Sequence, residues 1–393
     1  MAGLNETPRG NRIHIAFFGL RNAGKSTLVN AFTGQQIAIV SDVPGTTTDP
    51  VSKAMEILPL GPCLVTDTAG LDDEGELGEM RVERTLKVLE TVDIAVWVDG
   101  RAASPLAAAA RRDCAPYRLV ANACAQRMIP LFEFHRGEGV EGLKRKIAAV
   151  KLEERMPGLL DGLVKKGDRV LCVVPIDESA PKGRLILPQQ QVIRECLDKH
   201  VTVAVCQPEE LFEFLSWGVF ELSSRLLVVT DSQAFGRITQ TLKNSNTQNL
   251  KLTSFSILFA RQKGDLQEFV KGLKAIGSLK DGDTVLVAEG CTHHRQCNDI
   301  GTVKIPKALE KLSGRKLKFE FLSGGTFDVS APRSEGAAGT VKLVVHCGGC
   351  MLTRREMLRR IALVKEAGVP IVNYGLILAM ANGIDIHSLI PTP

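Results

Sequence analysis

The stretch Gly19-Leu-Arg-Asn-Ala-Gly-Lys-Ser26 decides the fold of the N-terminal part of this chain. It follows the apolar segment Arg12–Phe18 and precedes a helical pattern at Ser26–Thr33. A glycine-rich loop of this form between a strand and a helix predicts a phosphate-binding loop, because its backbone amides and the helix N-terminus hold phosphate oxygens. We expect Lys25 to reach the β- and γ-phosphates and Ser26 to coordinate Mg²⁺.

Two further segments complete the predicted nucleotide site. Asp67-Thr-Ala-Gly70 follows an apolar strand, which suits Asp67 to Mg²⁺ and the Gly70 amide to the γ-phosphate. A threonine run lies between this segment and the P-loop, where a switch loop belongs, and Thr47 is the predicted metal ligand with Thr46 as the alternative. The residues expected to act in catalysis are Lys25, Thr47, Asp67 and Gly70, and those expected to bind nucleotide are Gly19, Asn22, Ala23, Gly24, Lys25, Ser26, Thr27, Thr46, Thr47, Asp67, Gly70 and Asn122.

The alternation of apolar strands with helical segments predicts an α/β protein, and 393 residues suffice for two or three domains. We expect a P-loop domain over residues 10–157 and two smaller domains over 165–252 and 253–393. Their strands are continuous apolar runs, which favours mainly parallel sheets. The predicted strands lie at Arg12–Phe18, Met55–Thr66 (two strands around Gly61-Pro62), Asp93–Val98, Ile129–Phe134, Val170–Pro175, Val201–Val205, Leu226–Thr230, Thr284–Ala288, Leu317–Phe321, Val341–Val345 and Pro370–Val372.

Composition argues against several classes of protein. The net charge of +5 is weak for this length and no basic run stands out, so we expect no nucleic-acid partner. No run of 18 apolar residues occurs and the N-terminus lacks the pattern of a signal peptide, so we expect no membrane span and a cytoplasmic location. The middle domain shows no catalytic constellation, and we expect it to serve in oligomerisation.

Ligand-type residues cluster in the last third of the chain as Cys291-Thr-His293 and His346-Cys347-Gly-Gly-Cys350. Each cluster falls just after a predicted strand, so both would meet at the carboxyl edge of a parallel sheet. Such residues could bind zinc as Cys₃His, or a 4Fe–4S cluster through three thiolates, and the spacing does not separate these alternatives. Unliganded thiols are the third alternative.

The nucleotide-site segments resemble the translation-factor-like GTPases, nearest to the group that includes the tRNA-modification GTPases. The resemblance implies a GTPase fold with GTP and Mg²⁺. It also assigns Asn22 to K⁺, as in cation-activated members, while Leu71 stands where Ras-like enzymes place a catalytic glutamine. Hydrolysis stimulated by K⁺ is therefore the hypothesis.

The chain departs from that family where guanine is recognised. The expected Asn-Lys-x-Asp is absent, and Asn122-Ala-Cys-Ala125 retains only the first asparagine. Phe134-His135-Arg136 replaces the later Ser-Ala loop. Because a site that loses a hydrogen-bonding partner loses much of its discrimination, the sequence predicts weakened guanine specificity.

The cysteine clusters, with 52 residues between His293 and His346, resemble the signature of the FeFe-hydrogenase maturation GTPases. The resemblance extends over residues 10–390, in the order GTPase domain, dimerisation domain and cluster domain. Further segments similar to that family are Ala180–Pro188, Val229–Gln233, Thr253–Arg261 and Asn373-Tyr-Gly375.

This second resemblance implies a 4Fe–4S cluster on Cys291, Cys347 and Cys350, with His293 or His346 at a labile fourth position. It implies a homodimer or larger oligomer that accepts a diiron precursor bearing CO, cyanide and a dithiolate from two radical-SAM maturases and delivers it to apo-FeFe-hydrogenase. GTP binding and hydrolysis would act as a switch. The alternatives are a GTPase with a structural zinc domain acting in RNA modification or ribosome assembly, and an electron-transfer iron–sulfur protein.

Overall fold

The computed structural model describes residues 7, 9–34, 51–73, 76–151, 157–176, 185–216, 225–243, 250–291, 299–324, 327, 329 and 340–389. The predicted switch residues Thr46 and Thr47 and the predicted ligand His293 lie outside these ranges. The chain forms two compact units, residues 1–155 and 156–393.

The first unit is built on one five-stranded sheet with β1 at its centre, in the order β2-β3-β1-β4-β5. All neighbouring strands are parallel except β2 and β3. This arrangement confirms the predicted P-loop α/β fold. The strands are β1 (Ile13–Phe18), β2 (Val51–Ile57), β3 (Gly61–Asp67), β4 (Ile94–Asp99) and β5 (Leu131–His135), and the helices are α1 (Lys25–Thr33), α2 (Glu76–Thr91), α3 (Pro105–Asp113), α4 (Ala115–Gln126) and α5 (Val140–Ala148).

Helices cover both faces of this sheet, which explains why its central strands are apolar throughout. On one face Phe17 packs with Leu28 and Phe32 of α1. On the other face Phe18 and Trp97 belong to a second core cluster. The P-loop thus emerges from a strand that is buried on both sides and held in a fixed position.

The second unit contains two four-stranded sheets, and every strand pair in them is parallel. This confirms the prediction of mainly parallel sheets. The sheet in the order β7-β6-β8-β9 comprises β6 (Arg169–Val173), β7 (Thr202–Cys206), β8 (Leu226–Thr230) and β9 (Leu250–Ser254), with α6 (Leu187–Asp198), α7 (Leu211–Ser216) and α8 (Phe235–Lys243). Because β9 continues to Ser254, this sheet extends beyond the predicted boundary at residue 252.

The remaining sheet has the order β11-β10-β12-β13. Its strands are β10 (Thr284–Glu289), β11 (Lys318–Ser323), β12 (Val341–His346) and β13 (Ile371–Asn373), and the helices of this region are α9 (Phe255–Lys263), α10 (Leu266–Ile276), α11 (Ile305–Ser313), α12 (Arg354–Glu366), α13 (Tyr374–Ala381) and α14 (Ile386–Leu389). The two inner strands β10 and β12 are direct neighbours, and the predicted ligand clusters follow them.

Helix α9 joins the two sheets of this unit through opposite faces. Leu258 and Phe259 pack into the core beneath the sheet of β6 to β9. Ile257 and Ala260 pack into the core of the sheet of β10 to β13. Because α9 packs against both cores, the position of its last residue, Lys263, is fixed, and the side chain of Lys263 is fully buried.

Strand β7 is an edge strand, since β6 is its only partner among the described strands. Apolar side chains on and near it are exposed: Val205 is 44% exposed, Leu197 of α6 62% and Phe212 of α7 60%. Unpaired strand edges invite pairing with another chain. This surface is therefore suited to self-association.

None of the helices in the described ranges is long and apolar enough to cross a membrane. The longest of them, α2, has 16 residues, whereas a bilayer needs about 20.

Candidate functional site

The P-loop is shaped by backbone conformations that favour glycine and asparagine. Gly24 has φ of +90° and Asn22 has φ of +55°, and α1 begins directly after them at Lys25. A side chain at Gly19 would bring its Cβ within 2.6 Å of the Val98 carbonyl oxygen. The loop consequently packs its backbone against the end of β4 and presents the N-terminus of α1 to a phosphate group.

Parallel pairing of β1 with β3 brings the two predicted Mg²⁺ ligands together. Ser26 Oγ donates a 2.6 Å hydrogen bond to Asp67 Oδ2. Lys25 is buried at the start of the same helix, and its Nζ donates to the carbonyl oxygens of Gly19 and Leu20 at 3.3 and 2.7 Å. Burial lowers the pKa of Lys25, and Asp67 opposes that shift.

Asp67 has the properties of a metal-binding carboxylate. It is fully buried, and its Oδ1 has no hydrogen-bond partner among the described residues. Burial raises its pKa, while Ser26 and Lys25 lower it. An unsatisfied buried carboxylate oxygen is costly, and a hard divalent cation would satisfy it. The residues present therefore fit Mg²⁺.

The segment after Asp67 is anchored on the P-loop. A Cβ at Gly70 would lie 2.5 Å from Arg21 Cγ and 2.8 Å from Arg21 N, so this position needs glycine. Leu71 N donates to Gly19 O at 3.2 Å, and Arg21 N donates to Asp72 Oδ1 at 2.6 Å. The predicted Gly70 and the predicted phosphate-binding loop are thus in direct contact.

The other predicted nucleotide residues lie in different settings. Asn22 is exposed at the tip of the P-loop, Ala23 is partly buried beside it, and Thr27 is exposed on α1. Asn122 lies inside α4 with its side chain exposed, and not in a loop after a strand. The structure therefore does not place Asn122 where the asparagine of an Asn-Lys-x-Asp motif stands.

The cysteines of the last domain meet at the carboxyl edge of β10 and β12. Cys347 N donates to Ala288 O at 3.0 Å, which continues the strand pairing past its end. The Cys347 Sγ atom accepts from Gly290 N at 3.3 Å and from Gly349 N at 3.4 Å. Amide donors aimed at sulfur are the kind of hydrogen bond that tunes metal-bound thiolates.

Cys291, Cys347 and Cys350 are close enough to influence one another. Burial raises the pKa of Cys347 to about 12, and the Cys350 and Cys291 thiols add to this shift. Burial likewise raises the pKa of Cys291 to about 11, with Cys350 contributing. Within the ranges described, no three His, Cys, Asp or Glu side chains are gathered tightly enough to hold a single metal ion.

A buried cation lies against this edge. Lys263 Nζ donates to the carbonyl oxygens of Cys350 at 2.9 Å and Leu352 at 2.7 Å, and it lies 5.4 Å from the ring centroid of Phe259. Burial lowers its pKa to about 8, an effect that Cys350 and Cys347 oppose. Lys263 thus fixes the turn that carries Cys350 and places positive charge beside the thiols.

His346 is held by hydrogen bonds at both ring nitrogens. Arg360 Nη1 lies 3.1 Å from Nε2, and the Cys347 carbonyl oxygen lies 2.8 Å from Nδ1. Because arginine only donates, Nε2 is the acceptor and Nδ1 carries the proton. Burial, with Arg360, lowers the pKa of His346 to about 3, so the ring is neutral. Ligation of iron through Nε2 would require Arg360 to leave.

Arg360 is itself fully buried, and each nitrogen of its guanidinium group has a hydrogen-bond partner. Its Nε donates to Glu356 Oε1 at 2.7 Å and its Nη2 donates to Gly324 O at 2.7 Å. Its guanidinium carbon lies 4.9 Å from the ring centroid of Phe327. This arginine therefore connects α12, the end of β11 and the ligand strand β12.

Comparison with known protein families assigns both units. The model of the hydrogen maturase F dimerization domain matches residues 159–264, and that of the hydrogen maturase F tetramerization domain matches residues 267–390. Together they cover more than half of the chain. The chain belongs to the hydrogen maturase F (HydF) family. The model described as 50S ribosome-binding GTPase matches residues 14–122, so this HydF chain carries a GTPase-family domain.

The GTPase-family domain has relatives among curated bacterial proteins. The chain is 40% identical over 114 residues to the tRNA modification GTPase MnmE of Methylobacterium sp. (strain 4-46), covering 27% of this chain and 26% of that protein. It is 41% identical over 98 residues to GTPase Der of Wolinella succinogenes, covering 24% and 20%. The chain thus spans about a quarter of the length of these curated relatives.

Among solved structures, Aquifex aeolicus Era bound to GDP and AlF₄⁻ is 15% identical, with a TM-score of 0.25 over 80% of this chain and 94% of that chain. The strand order of this HydF chain and the family models define its fold.

Two residues beside the cysteines at the carboxyl edge of β10 and β12 could not be predicted from the sequence, Lys263 and Arg360. Basic residues on helices are usually solvated, and nothing local in the sequence distinguishes these two. The one available signal is the spacing of Glu356 and Arg360, which places them on the same face of a helix. That spacing is just as common on exposed helices.

Replacing Asp67 with asparagine tests the Mg²⁺ site. We expect Asp67→Asn to weaken Mg²⁺ binding by at least about 10–100-fold, as losing a supporting metal contact does elsewhere. Nucleotide binding without Mg²⁺ should persist, because the P-loop is unchanged. Titrating Mg²⁺ against nucleotide affinity measures this, with Asp113→Asn on the exposed end of α3 as the control. An unchanged Mg²⁺ dependence would contradict the assignment.

The buried arginine network makes a prediction about stability. Arg360→Met removes the 2.7 Å donor to Glu356 Oε1 and the donor to His346 Nε2 inside the protein. This should cost about 3–5 kcal/mol in the free energy of unfolding. Arg359 provides the matched control, since it pairs with the same Glu356 at 2.8 Å but is partly exposed. Arg359→Met should cost about 1 kcal/mol or less. Equal losses in denaturant titrations would show that Arg360 has no special role.

Proposed function

We propose that this chain is a hydrogenase maturation factor that holds a diiron precursor on a 4Fe–4S cluster and transfers it to apo-FeFe-hydrogenase. The observation that carries the proposal is the meeting of Cys291, Cys347 and Cys350 at one sheet edge, inside the region matched by the HydF domain models. The proposal places this activity in the cytoplasm, with two radical-SAM maturases as the source of the precursor.

A 4Fe–4S cluster and a single zinc ion make different demands on three thiolates. Three thiolates on one zinc would lie about 2.3 Å from the same ion, which requires tight convergence. In a 4Fe–4S cluster each thiolate binds its own iron, so the sulfur atoms stand farther apart. The described thiols of Cys291, Cys347 and Cys350 influence one another's pKa, as neighbouring thiols do. When bound, the cluster would supply an iron with an exchangeable position at which cargo can attach.

The surroundings of the thiols suit a negatively charged cluster. A 4Fe–4S core with three thiolate ligands carries net negative charge once its sulfides are counted, and burial penalises that charge. Lys263 supplies a fixed positive charge at the Cys350 turn, and two amides donate to Cys347 Sγ. Because Arg360 donates a hydrogen bond to His346 Nε2, the proposal assigns the exchangeable fourth position to His293. His346 would instead position Cys347, by donating from Nδ1 to the Cys347 carbonyl oxygen.

The nucleotide site would act as a switch for partner binding. In P-loop GTPases, the γ-phosphate and Mg²⁺ order the switch loops, which hydrolysis releases. Here Ser26 and Asp67 would hold Mg²⁺, and Thr47 or Thr46 would be a further ligand of the ion. The Gly70 amide would donate a hydrogen bond to the γ-phosphate. The close packing of Gly70 against Arg21 supports this. Because the two segments are in contact, a phosphate bound in the P-loop would also contact or displace the Asp67–Gly70 segment.

Self-association is part of the proposal. The two HydF models are named for dimerization and tetramerization, and the first covers β6 to β9. We assign the dimer contact to the exposed edge of β7, which carries Val205, together with the neighbouring Phe212 of α7. A homodimer would then carry two cluster sites.

The carrier role is tested by Cys347→Ser. This variant should lose its iron and sulfide and fail to activate apo-hydrogenase, because one thiolate and both amide-to-sulfur hydrogen bonds are lost. Nucleotide binding should remain, since the P-loop lies in the other unit. Cys114→Ser in the GTPase-family domain is the control for loss of a partly buried thiol. A variant that keeps its cluster or still activates hydrogenase would contradict the assignment of Cys347 as a cluster ligand.

Asn22 permits a separate test of K⁺ stimulation. The residue has φ of +55°, so Asn22→Gly retains the backbone conformation while removing the side-chain oxygen that would bind K⁺. The wild type should hydrolyse GTP faster in K⁺ than in Na⁺, and the variant should hydrolyse it equally in both. Equal rates for the wild type would refute the K⁺ hypothesis and leave the carrier role untouched.

A further inference from the structure

The loops after β4 and β5 lie side by side at the carboxyl edge of the sheet, the edge from which the P-loop also emerges. In the described sheet β4 is the direct neighbour of β5, and only α3 and α4 connect them. Arg136 N, just past β5, donates to Asp99 O at 3.2 Å and to Arg101 O at 3.1 Å. These bonds hold the two loops together, and neither loop carries the expected Asn-Lys-x-Asp motif.

The carboxylates in this region are already paired with arginine. Arg111 is buried, and its Nη2 lies 2.7 Å from Glu133 Oε2 while its Nη1 lies 3.6 Å from Asp99 Oδ2. Asp99 also accepts from Arg101 Nε at 2.9 Å and from Arg101 Nη2 at 3.2 Å. A carboxylate saturated by guanidinium groups is not available to accept hydrogen bonds from the edge of a guanine base.

The same geometry offers a different way to hold a base. The chain leaving β4 crosses the P-loop at Gly100, where a Cβ would lie 3.3 Å from Ala23 Cα. Arg101 comes next, with 47% of its side chain exposed and its guanidinium plane fixed by the two bonds to Asp99. A planar cation can stack on the face of any base, since every base has a π-face.

We propose that this site binds nucleoside di- and triphosphates through their phosphates, with Arg101 stacking on the base and without preference for guanine over adenine. The inference rests on the nucleotide-binding part of the proposed function and narrows its ligand class. Where a site reads its ligand by buried hydrogen bonds, analogues lacking those groups are rejected by about 10⁴–10⁵-fold. A stacking contact gives no such rejection.

Direct binding measurements test the base tolerance. Dissociation constants for GDP, ADP and inorganic tripolyphosphate would be measured on the full chain with Mg²⁺. We expect GDP and ADP to agree within about tenfold, since stacking strength varies little between purines. A larger preference for GDP would overturn the inference and leave nucleotide binding intact. If none of the three binds, the nucleotide role of the proposed function fails together with the inference.

A pair of arginine variants tests the stacking role. Arg101→Ala should weaken GDP and ADP alike, by about tenfold, because both lose the contact between the guanidinium group and the face of the base. Tripolyphosphate binding should not change, and this separates stacking from a folding defect, which would weaken all three ligands. Arg118→Ala removes the same charge from the exposed face of α4 and should affect none of them. Unchanged affinities in Arg101→Ala, or a loss confined to GDP, would overturn the assignment.

Discussion

Parallel strand pairing is the constraint on which both candidate sites depend. When two parallel strands are neighbours, their carboxyl ends reach the same edge of the sheet, and residues far apart in sequence meet there. The pairing of β1 with β3 brings Ser26 to Asp67 across 41 positions. The pairing of β10 with β12 brings Gly290 to the sulfur of Cys347 across 57 positions. Without these pairings neither site would exist.

Buried charged groups position the cysteines at the carboxyl edge of β10 and β12. Arg360 and Lys263 are fully buried, which is tolerable only because their donors are matched by acceptors. Arg360 orients His346, and His346 in turn holds the carbonyl oxygen of Cys347. Lys263 holds the carbonyl oxygens around Cys350. The backbone that carries two of the thiols is thus positioned by hydrogen bonds that need no metal.

Much of this could be predicted from sequence because it follows from local patterns. Continuous apolar runs gave strands close to those observed, and Leu226–Thr230 matches β8 at both ends. The turn predicted at Gly61-Pro62 instead lies at residues 58–60, because β2 is half exposed and lacks an apolar run. Strand β9 (Leu250–Ser254) also lacks a continuous apolar run, and its five residues are too few for their alternation of polar and apolar side chains to stand out.

The remaining features depend on tertiary contacts, which sequence patterns do not carry. Asn122 matches part of a motif, but its surroundings form a helix, so the match does not indicate a base-binding loop. His346 stands in a ligand-like spacing, yet its nitrogens are taken by Arg360 and by the Cys347 carbonyl. The pairing of Arg111 with Asp99 and Glu133 is likewise visible only once β4 and β5 are adjacent.

The central claim is that the three cysteines hold an iron–sulfur cluster, and metal analysis tests it most directly. Protein purified without oxygen would be assayed for iron, acid-labile sulfide and zinc, together with its absorption and EPR spectra. The account predicts about four irons and four sulfides per chain, with a reducible cluster signal, as a 4Fe–4S site requires. About one zinc per chain without sulfide would contradict it and indicate a structural zinc site instead.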